Sequence, residues 1–320
     1  MTETKYWRAV NLALHDAMEA DDRVLVIGQD VGVPGGPYGL TRRLLDTYGR
    51  NRVRDTPISE AAIVATGVGA AMTGLRPVVE VMFLDFIGLG LDQLLNQATK
   101  YPFFTQGRLH VPLVINTLYG GRANMGAQHS QSLEAWLCHI PGLKVAFPSN
   151  PADAYATLRA AINDPGPVVV IHSISLLQAT GTLSEDGAGA SPGTGRIVQS
   201  GSSCTVVSYG PALHICAAAA ADLDVELIDL RWLSPWPREL VFNSVAKTSR
   251  LLVVHDAPEA GGWGAEVVAT VASEGLWHLD APPRRLGALA QPLPVARRQW
   301  EPLLPSRSSV RETVQALLQF

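Results

Sequence analysis

Charge is scarce in this chain: only 17% of its 320 residues are Asp, Glu, Lys or Arg. The 25 basic and 29 acidic side chains leave a formal charge of -4, without the basic excess that a nucleic-acid backbone or an anionic membrane would reward. Cysteine is nearly absent as well. Cys138, Cys204 and Cys216 form neither a CxxC pair nor an even disulfide set, which fits a reducing, cytoplasmic setting. Apolar runs end at Gly, Pro or a charge before the ~18 residues that a membrane-spanning helix needs. The first stretch carries Asp16, Glu19, Asp21 and Asp22, unlike the basic flank and apolar centre of a signal peptide. What is abundant is apolar material, at 47% of residues, which excludes disorder as the main state and supplies more than one buried core.

That material alternates in period. Residues 4–20 and 58–74 carry helical spacing, whereas 23–28, 76–83 and 111–119 read as short buried strands; 90–104 reads as a further helix. A helix over 151–164 then leads into the β-branched run 167–173, the pattern of a strand covered on both faces. Such alternation predicts an α/β layer with a mostly parallel sheet. Residues 178–201 are rich in Gly, Ser and Thr and read as a linker. Strands over 204–210, 225–233 and 250–256 follow, interleaved with helices over 214–222, 239–248 and 265–276. The expected organisation is two consecutive α/β domains, 1–177 and 202–320, joined by 178–201.

Two familiar patterns fail on context. Gly67-Val68-Gly69 has Met72 where a dinucleotide fingerprint needs its third glycine, and it precedes a strand instead of following one. Close helix packing explains Gly67, Gly69, Ala70 and Ala71 better. Residues 189–193 read G-x-S-x-G, but Pro192 lacks the backbone N–H that a nucleophile elbow needs after its serine. Two other segments hold chemistry-bearing side chains. Pro57 keeps the approach to Ser59 extended, so Ser59 is placed to cap a helix opening at Glu60. Taken alone, Glu60 reads as a first-turn acid favoured by the helix dipole. His129, in Gln128-His129-Ser130-Gln131 after the flexible stretch 119–127, reads alone as a solvated loop histidine.

Read together, GQDVG (28–32), RVRDTPISE (52–60), GLRPVVEVMFLDF (74–86), LDQLLNQATK (91–100), GAQHSQSLEAWLCHIPGLKVAFPSNPADA (126–154), INDPGPVVV (162–170), ELIDLRWLSPW (226–236) and GGWGAEVVA (261–269) give the chain its resemblance. It resembles the beta subunit of the thiamine-diphosphate-dependent component of 2-oxo acid dehydrogenase complexes, over nearly the whole chain and in the right order. The pyruvate, branched-chain and acetoin dehydrogenases are the familiar members. QHSQS followed by HIPGLKV separates this family from its transketolase cousins, which usually show a THQ-type motif there.

The resemblance implies a pyrimidine-binding, transketolase-like α/β domain followed by a transketolase C-terminal domain. It implies that Glu60 hydrogen-bonds the aminopyrimidine of the cofactor and promotes the tautomer that deprotonates the thiazolium carbon. By the same match Phe86 packs against the pyrimidine, and His129 assists reductive acyl transfer to a lipoyl group. The family can also hold potassium through main-chain oxygens and one acid, and the matching positions are Leu113, Ala161, Ile162, Asp164 and Gly166. Pro165 and Gly166 replace the usual polar pair there, so a plain turn stands beside that reading.

The family's diphosphate and magnesium motif, G-D-G followed by N-N, occurs nowhere in the sequence. The expectation is therefore an alpha subunit that holds the phosphates and magnesium, in an α2β2 assembly that acts on a small 2-oxo acid. The acceptor would be a lipoyl-domain acyltransferase or an acyl carrier protein, and neither nucleic acid nor membrane is expected as a partner. Three positions depart from the pattern: Gln29 for a typical acid, Asn116 for a frequent arginine and His172 for a usual glutamate. They keep open a split transketolase-like enzyme that moves a two-carbon ketol unit from a sugar phosphate to a carrier. A non-catalytic assembly subunit would have little reason to keep both Glu60 and His129.

Overall fold

The computed structural model describes residues 3–183 and 190–320. Part of the expected linker, 184–189, and with it the first glycine of the 189–193 motif, lies outside the described residues. A seven-stranded sheet runs in the spatial order Trp232–Ser234, Lys144–Ala146, Val168–Ser173, Val114–Tyr119, Arg76–Phe83, Val24–Gly28, Val53–Asp55. All its pairings are parallel except that of Trp232–Ser234, which adds antiparallel to Lys144–Ala146. The parallel strands are buried on both faces and therefore read as continuous apolar runs. Helices Tyr6–Ala20 and Pro151–Asn163 pack on one face and on each other, while helix Glu60–Met72 covers the other.

Gly67 explains how that last helix lies so close to the sheet. A β-carbon there would fall 2.4 Å from Val79 Cγ2, so the small residue is required by the approach. Gly69, expected to share that role, faces open space.

A second sheet of five strands has the order Arg284–Ala288, Leu251–Pro258, Cys204–Ser208, Val225–Asp229, Arg196–Gln199. One hydrophobic core runs through both units, since Val79, Ile115 and Phe147 of the first share it with Tyr209, Val241 and Trp263 of the second. Within the expected linker, Thr180–Thr182 pairs with Glu3–Lys5, and Arg196–Gln199 is an edge strand of the second sheet. The expected strand over 225–233 divides, because Arg231 adopts a φ of 58° and turns the chain from one sheet to the other. The expected helix over 90–104 breaks into a π-helical turn at Gln93–Ala98 and a short helix at Tyr101–Phe104.

Candidate active site

Every element that carries a chemistry-bearing side chain of the motif leaves the first sheet at the carboxyl ends of its strands. That edge is where open α/β sheets place their ligand crevices. After Val53–Asp55 the chain passes Pro57, bends at Ile58 and enters helix Glu60–Met72 from Ser59. Ser59 makes no side-chain cap bond, contrary to the sequence expectation. Glu60 is 9% exposed at the helix N-terminus, where the aligned peptide dipoles favour a carboxylate. Among the described residues its carboxylate has neither a hydrogen-bond nor an ion-pair partner. A carboxylate on a residue this little exposed, with no partner in the chain, is available to a ligand.

Phe86 lies in the turn Leu84–Gly90 that follows strand Arg76–Phe83. That turn rests on the Glu60 helix at Gly90, where a β-carbon would come within 2.6 Å of Val64 Cγ2. His129 arrives on the loop after strand Val114–Tyr119. Gly120 opens the loop and has no space for a side chain, since a β-carbon would lie 1.8 Å from the carbonyl oxygen of His129. The imidazole stands edge-on to two phenyl rings, with centroids 4.7 Å from Phe83 and 5.3 Å from Phe86. Phe86 and His129 are thus in direct contact, and Glu60 heads the helix on which the Phe86 turn rests.

The His129 loop is tied at three points. The Arg122 guanidinium donates to both carboxylate oxygens of Asp256 at 2.7 Å, and Trp300 Nε1 donates to Asn124 Oδ1 at 2.7 Å. Asp85 Oδ1 accepts from Gln131 N at 2.9 Å and from Gln131 Nε2 at 3.1 Å. Arg122 and Asn124 hold left-handed φ values of 64° and 60°, a conformation that side chains adopt when their surroundings enforce it. Phe83, Asp85 and Gln131 hold the His129 loop in place although sequence reading gave them no role. Their only signal was membership of the GLRPVVEVMFLDF and QHSQS segments.

The positions matched to potassium lie at the opposite, amino edge of the sheet. Oxygens of four of the five are already engaged by the chain. Asp164 Oδ1 takes the Lys144 ammonium at 2.7 Å and the Gly166 N–H at 2.8 Å, and Ile162 O takes the Arg76 guanidinium at 2.7 Å. Leu113 O and Ala161 O accept the backbone N–H groups of Val168 and Asp164. With an ammonium and a guanidinium already among these oxygens, a third cation would meet like charge at close range. The five residues do not fit a bound potassium ion in this conformation.

Two of the three departures join a buried polar chain. Burial lowers the His172 imidazole to about 3, which leaves the ring neutral. Its Nδ1 accepts from Tyr6 Oη at 2.9 Å, its Nε2 donates to Asn116 Oδ1 at 2.8 Å, and Asn116 Nδ2 donates to Glu80 Oε1 at 2.7 Å. Glu80 Oε2 is buried without a partner. Burial raises this carboxyl to about 7, while the Asn116 bond pulls the other way.

A carboxyl raised on folding contributes stability that is complete below its unfolded value and is lost as pH rises through the folded one. Glu80→Gln removes the ionisation and keeps an oxygen for Asn116. The gain in stability should reach about 3 kcal/mol at pH 8, at ~1.4 kcal/mol per pH unit, and shrink below about 1 kcal/mol at pH 5. Urea denaturation at both pH values checks it, and an equal effect at both would count against a buried ionisation at Glu80.

Residues 2–179 match the family described as "Transketolase, pyrimidine binding domain" and residues 193–309 that described as "Transketolase, C-terminal domain". The chain is 37% identical over 322 residues to the 2-oxoisovalerate dehydrogenase subunit beta 2, mitochondrial, of Arabidopsis thaliana, covering 98% of this chain and 89% of that one. It is 34% identical to the 2-oxoisovalerate dehydrogenase subunit beta of Bacillus subtilis, with all of both chains aligned. The pyruvate dehydrogenase E1 component subunit beta-1, mitochondrial, of Arabidopsis thaliana is 38% identical over 93% of this chain and 84% of its own. A solved structure titled "Split gene transketolase, inactive beta4 tetramer" superimposes with a TM-score of 0.80 over 98% of both chains. At 20% identity that likeness is one of fold.

Two consecutive domains of the transketolase type, with a buried free carboxylate and an aromatic-flanked imidazole at one sheet edge, define a thiamine-diphosphate enzyme of the transketolase class. Within that class the chain belongs to the E1 beta-subunit family of the 2-oxo acid dehydrogenases.

Proposed function

We propose that this chain supplies the pyrimidine half of a thiamine diphosphate site shared with an alpha subunit, and that the assembled enzyme decarboxylates a 2-oxo acid and passes the acyl group to a lipoyl carrier. The observation that carries the reading is the carboxylate of the largely buried Glu60, free of partners and at the same sheet edge as Phe86 and His129. When bound, thiamine diphosphate supplies the electron sink for the bond that breaks. Glu60 holds and returns a proton at a ring nitrogen of the aminopyrimidine. Phe86 covers the ring face. His129 handles the proton at the carrier sulfur as the acyl group arrives.

The residues present fit the pyrimidine end of the cofactor and not its phosphate end. The sequence has no G-D-G followed by N-N, the family's diphosphate and magnesium motif, which supports assigning both to the alpha subunit. Large apolar side chains are left exposed at Ile58 (73%), Phe103 (80%) and Phe104 (66%), with Ile58 two residues from Glu60, and these support an α2β2 assembly. Three unpaired cysteines support a reducing, cytoplasmic setting.

Calorimetric titration of the purified chain with thiamine diphosphate and magnesium should show no tight site, because pyrimidine contacts alone must offset the loss of ligand freedom. Addition of the alpha subunit should bring binding into the micromolar range or tighter. A dissociation constant below about 1 μM for the chain alone, or ~8 kcal/mol of binding free energy, would overturn the shared site.

A further inference from the structure

The imidazole of His129 is held in an unusual way for a group that moves protons. Among the described residues its ring nitrogens make no hydrogen bond, and its side-chain neighbours are the edge-on rings of Phe83 and Phe86. Aromatic edges confine a ring without fixing its depth. Position along the loop must come from the backbone on either side of His129.

Upstream, His129 N donates to Gly126 O at 3.2 Å within the loop itself. Downstream, the buried Ser130 Oγ donates to Gly120 O at 3.4 Å, between the loop's own ends, and the first attachment to another segment is Asp85. One oxygen of this carboxylate takes both the backbone and the side-chain N–H of Gln131, two residues past His129, while the other is buried with no partner. Asp85 sits between Phe83 and Phe86 in sequence, so a single short segment carries both aromatic walls and the hook that sets the loop against them. Burial pushes the Asp85 carboxyl up, and the bonds from Gln131 pull it back. We propose that Asp85 is the positioning residue for His129: by fixing Gln131 it keeps the imidazole at the depth, between Phe83 and Phe86, at which proton transfer to the carrier takes place. This rests on the role given to His129 above.

The test uses the assembled enzyme with its alpha subunit and a lipoyl domain. Transfer to the lipoyl domain and decarboxylation with an artificial electron acceptor are measured side by side. Asp85→Ala should lower transfer about 10-fold or more, the scale of losing a hydrogen bond to a charged acceptor, and leave decarboxylation within about threefold. Asp85→Asn keeps an oxygen for the Gln131 N–H and should recover most of the loss. In a His129→Ala background Asp85→Ala should add nothing, because residues acting as one unit are not additive. Diethyl pyrocarbonate should label His129 faster in Asp85→Ala than in the parent, read by mass spectrometry without cofactor.

The inference falls if the two losses multiply in the double variant, if Asp85→Asn is no better than Asp85→Ala, or if both activities fall together with thermal stability. Should His129→Ala alone fail to separate the two activities, the proposed role of His129 falls first and takes this inference with it. A selective His129→Ala combined with a multiplying Asp85→Ala overturns the inference and leaves that role standing.

Discussion

Glu60→Gln in the assembled enzyme is expected to slow proton exchange at the thiazolium carbon of the cofactor by at least about 100-fold, the scale of lost acid–base catalysis. Turnover should fall with it. The amide occupies the same volume and still donates and accepts hydrogen bonds, so cofactor binding should weaken far less than exchange. What the amide lacks is the ability to take up and return a proton. Glu60 suits that task because burial at a helix N-terminus leaves its carboxylate with no competing partner in the chain. Deuterium exchange followed by NMR on the quenched cofactor reads the step directly. Exchange at the parental rate would refute the assignment, whereas a large fall in affinity with normal exchange would make Glu60 a binding group only.

Much of the fold was legible because a doubly covered parallel sheet writes itself into the sequence as short apolar runs between helical periods. Val24–Gly28, Arg76–Phe83 and Val168–Ser173 each occupy a run that periodicity marks. What periodicity does not carry is direction in space. Trp232 continues the apolar run of Val225–Asp229 without a visible break, yet the turn at Arg231 delivers it to the other sheet. The stretch after Leu84 keeps helical composition, but Gly90 must lie against Val64, and a uniform helix over 90–104 gives way to shorter turns.

The site was legible in part, for the same reason. Glu60 and His129, taken singly, have ordinary readings, and motif order across the chain was needed to set them apart. Pairings between distant segments left no trace in the sequence. Asp85 and Gln131 are 46 residues apart, and nothing local marks their bond. Asn116 and His172 were visible as departures, but their connection through Glu80 follows from neighbouring strands and not from spacing. The oxygens matched to potassium had suitable chemistry in sequence, and only geometry revealed the ammonium of Lys144 and the guanidinium of Arg76 among them.

The departures also bear on how the site is supported. At positions 116 and 172, where the resemblance leads one to expect an arginine and a glutamate, an amide and a neutral imidazole hydrogen-bond to each other. Neutral hydrogen-bonded groups avoid the desolvation penalty of a buried charge, several kcal/mol per ion as an order of magnitude. The remaining ionisable member, Glu80, is pushed toward its neutral form, so the whole chain from Tyr6 to Glu80 is most stable uncharged. The substitution lies within the sheet and leaves the Glu60, Phe86 and His129 surroundings to their own contacts.

His129→Ala is expected to divide the reaction. Decarboxylation measured with an artificial acceptor depends on Glu60 and the cofactor and should survive within about tenfold. Transfer to the lipoyl domain needs a proton managed at the carrier sulfur and should fall by ~100-fold or more, the usual contribution of a positioned acid or base. The structure gives the reason to expect a clean separation: the ring touches Phe83 and Phe86 only by its edges, and the loop is held independently at Arg122, Asn124 and Gln131. Removing the imidazole therefore leaves the loop anchored, and the melting temperature should move little. A purely structural histidine predicts the opposite, equal losses in both assays together with a lower melting temperature.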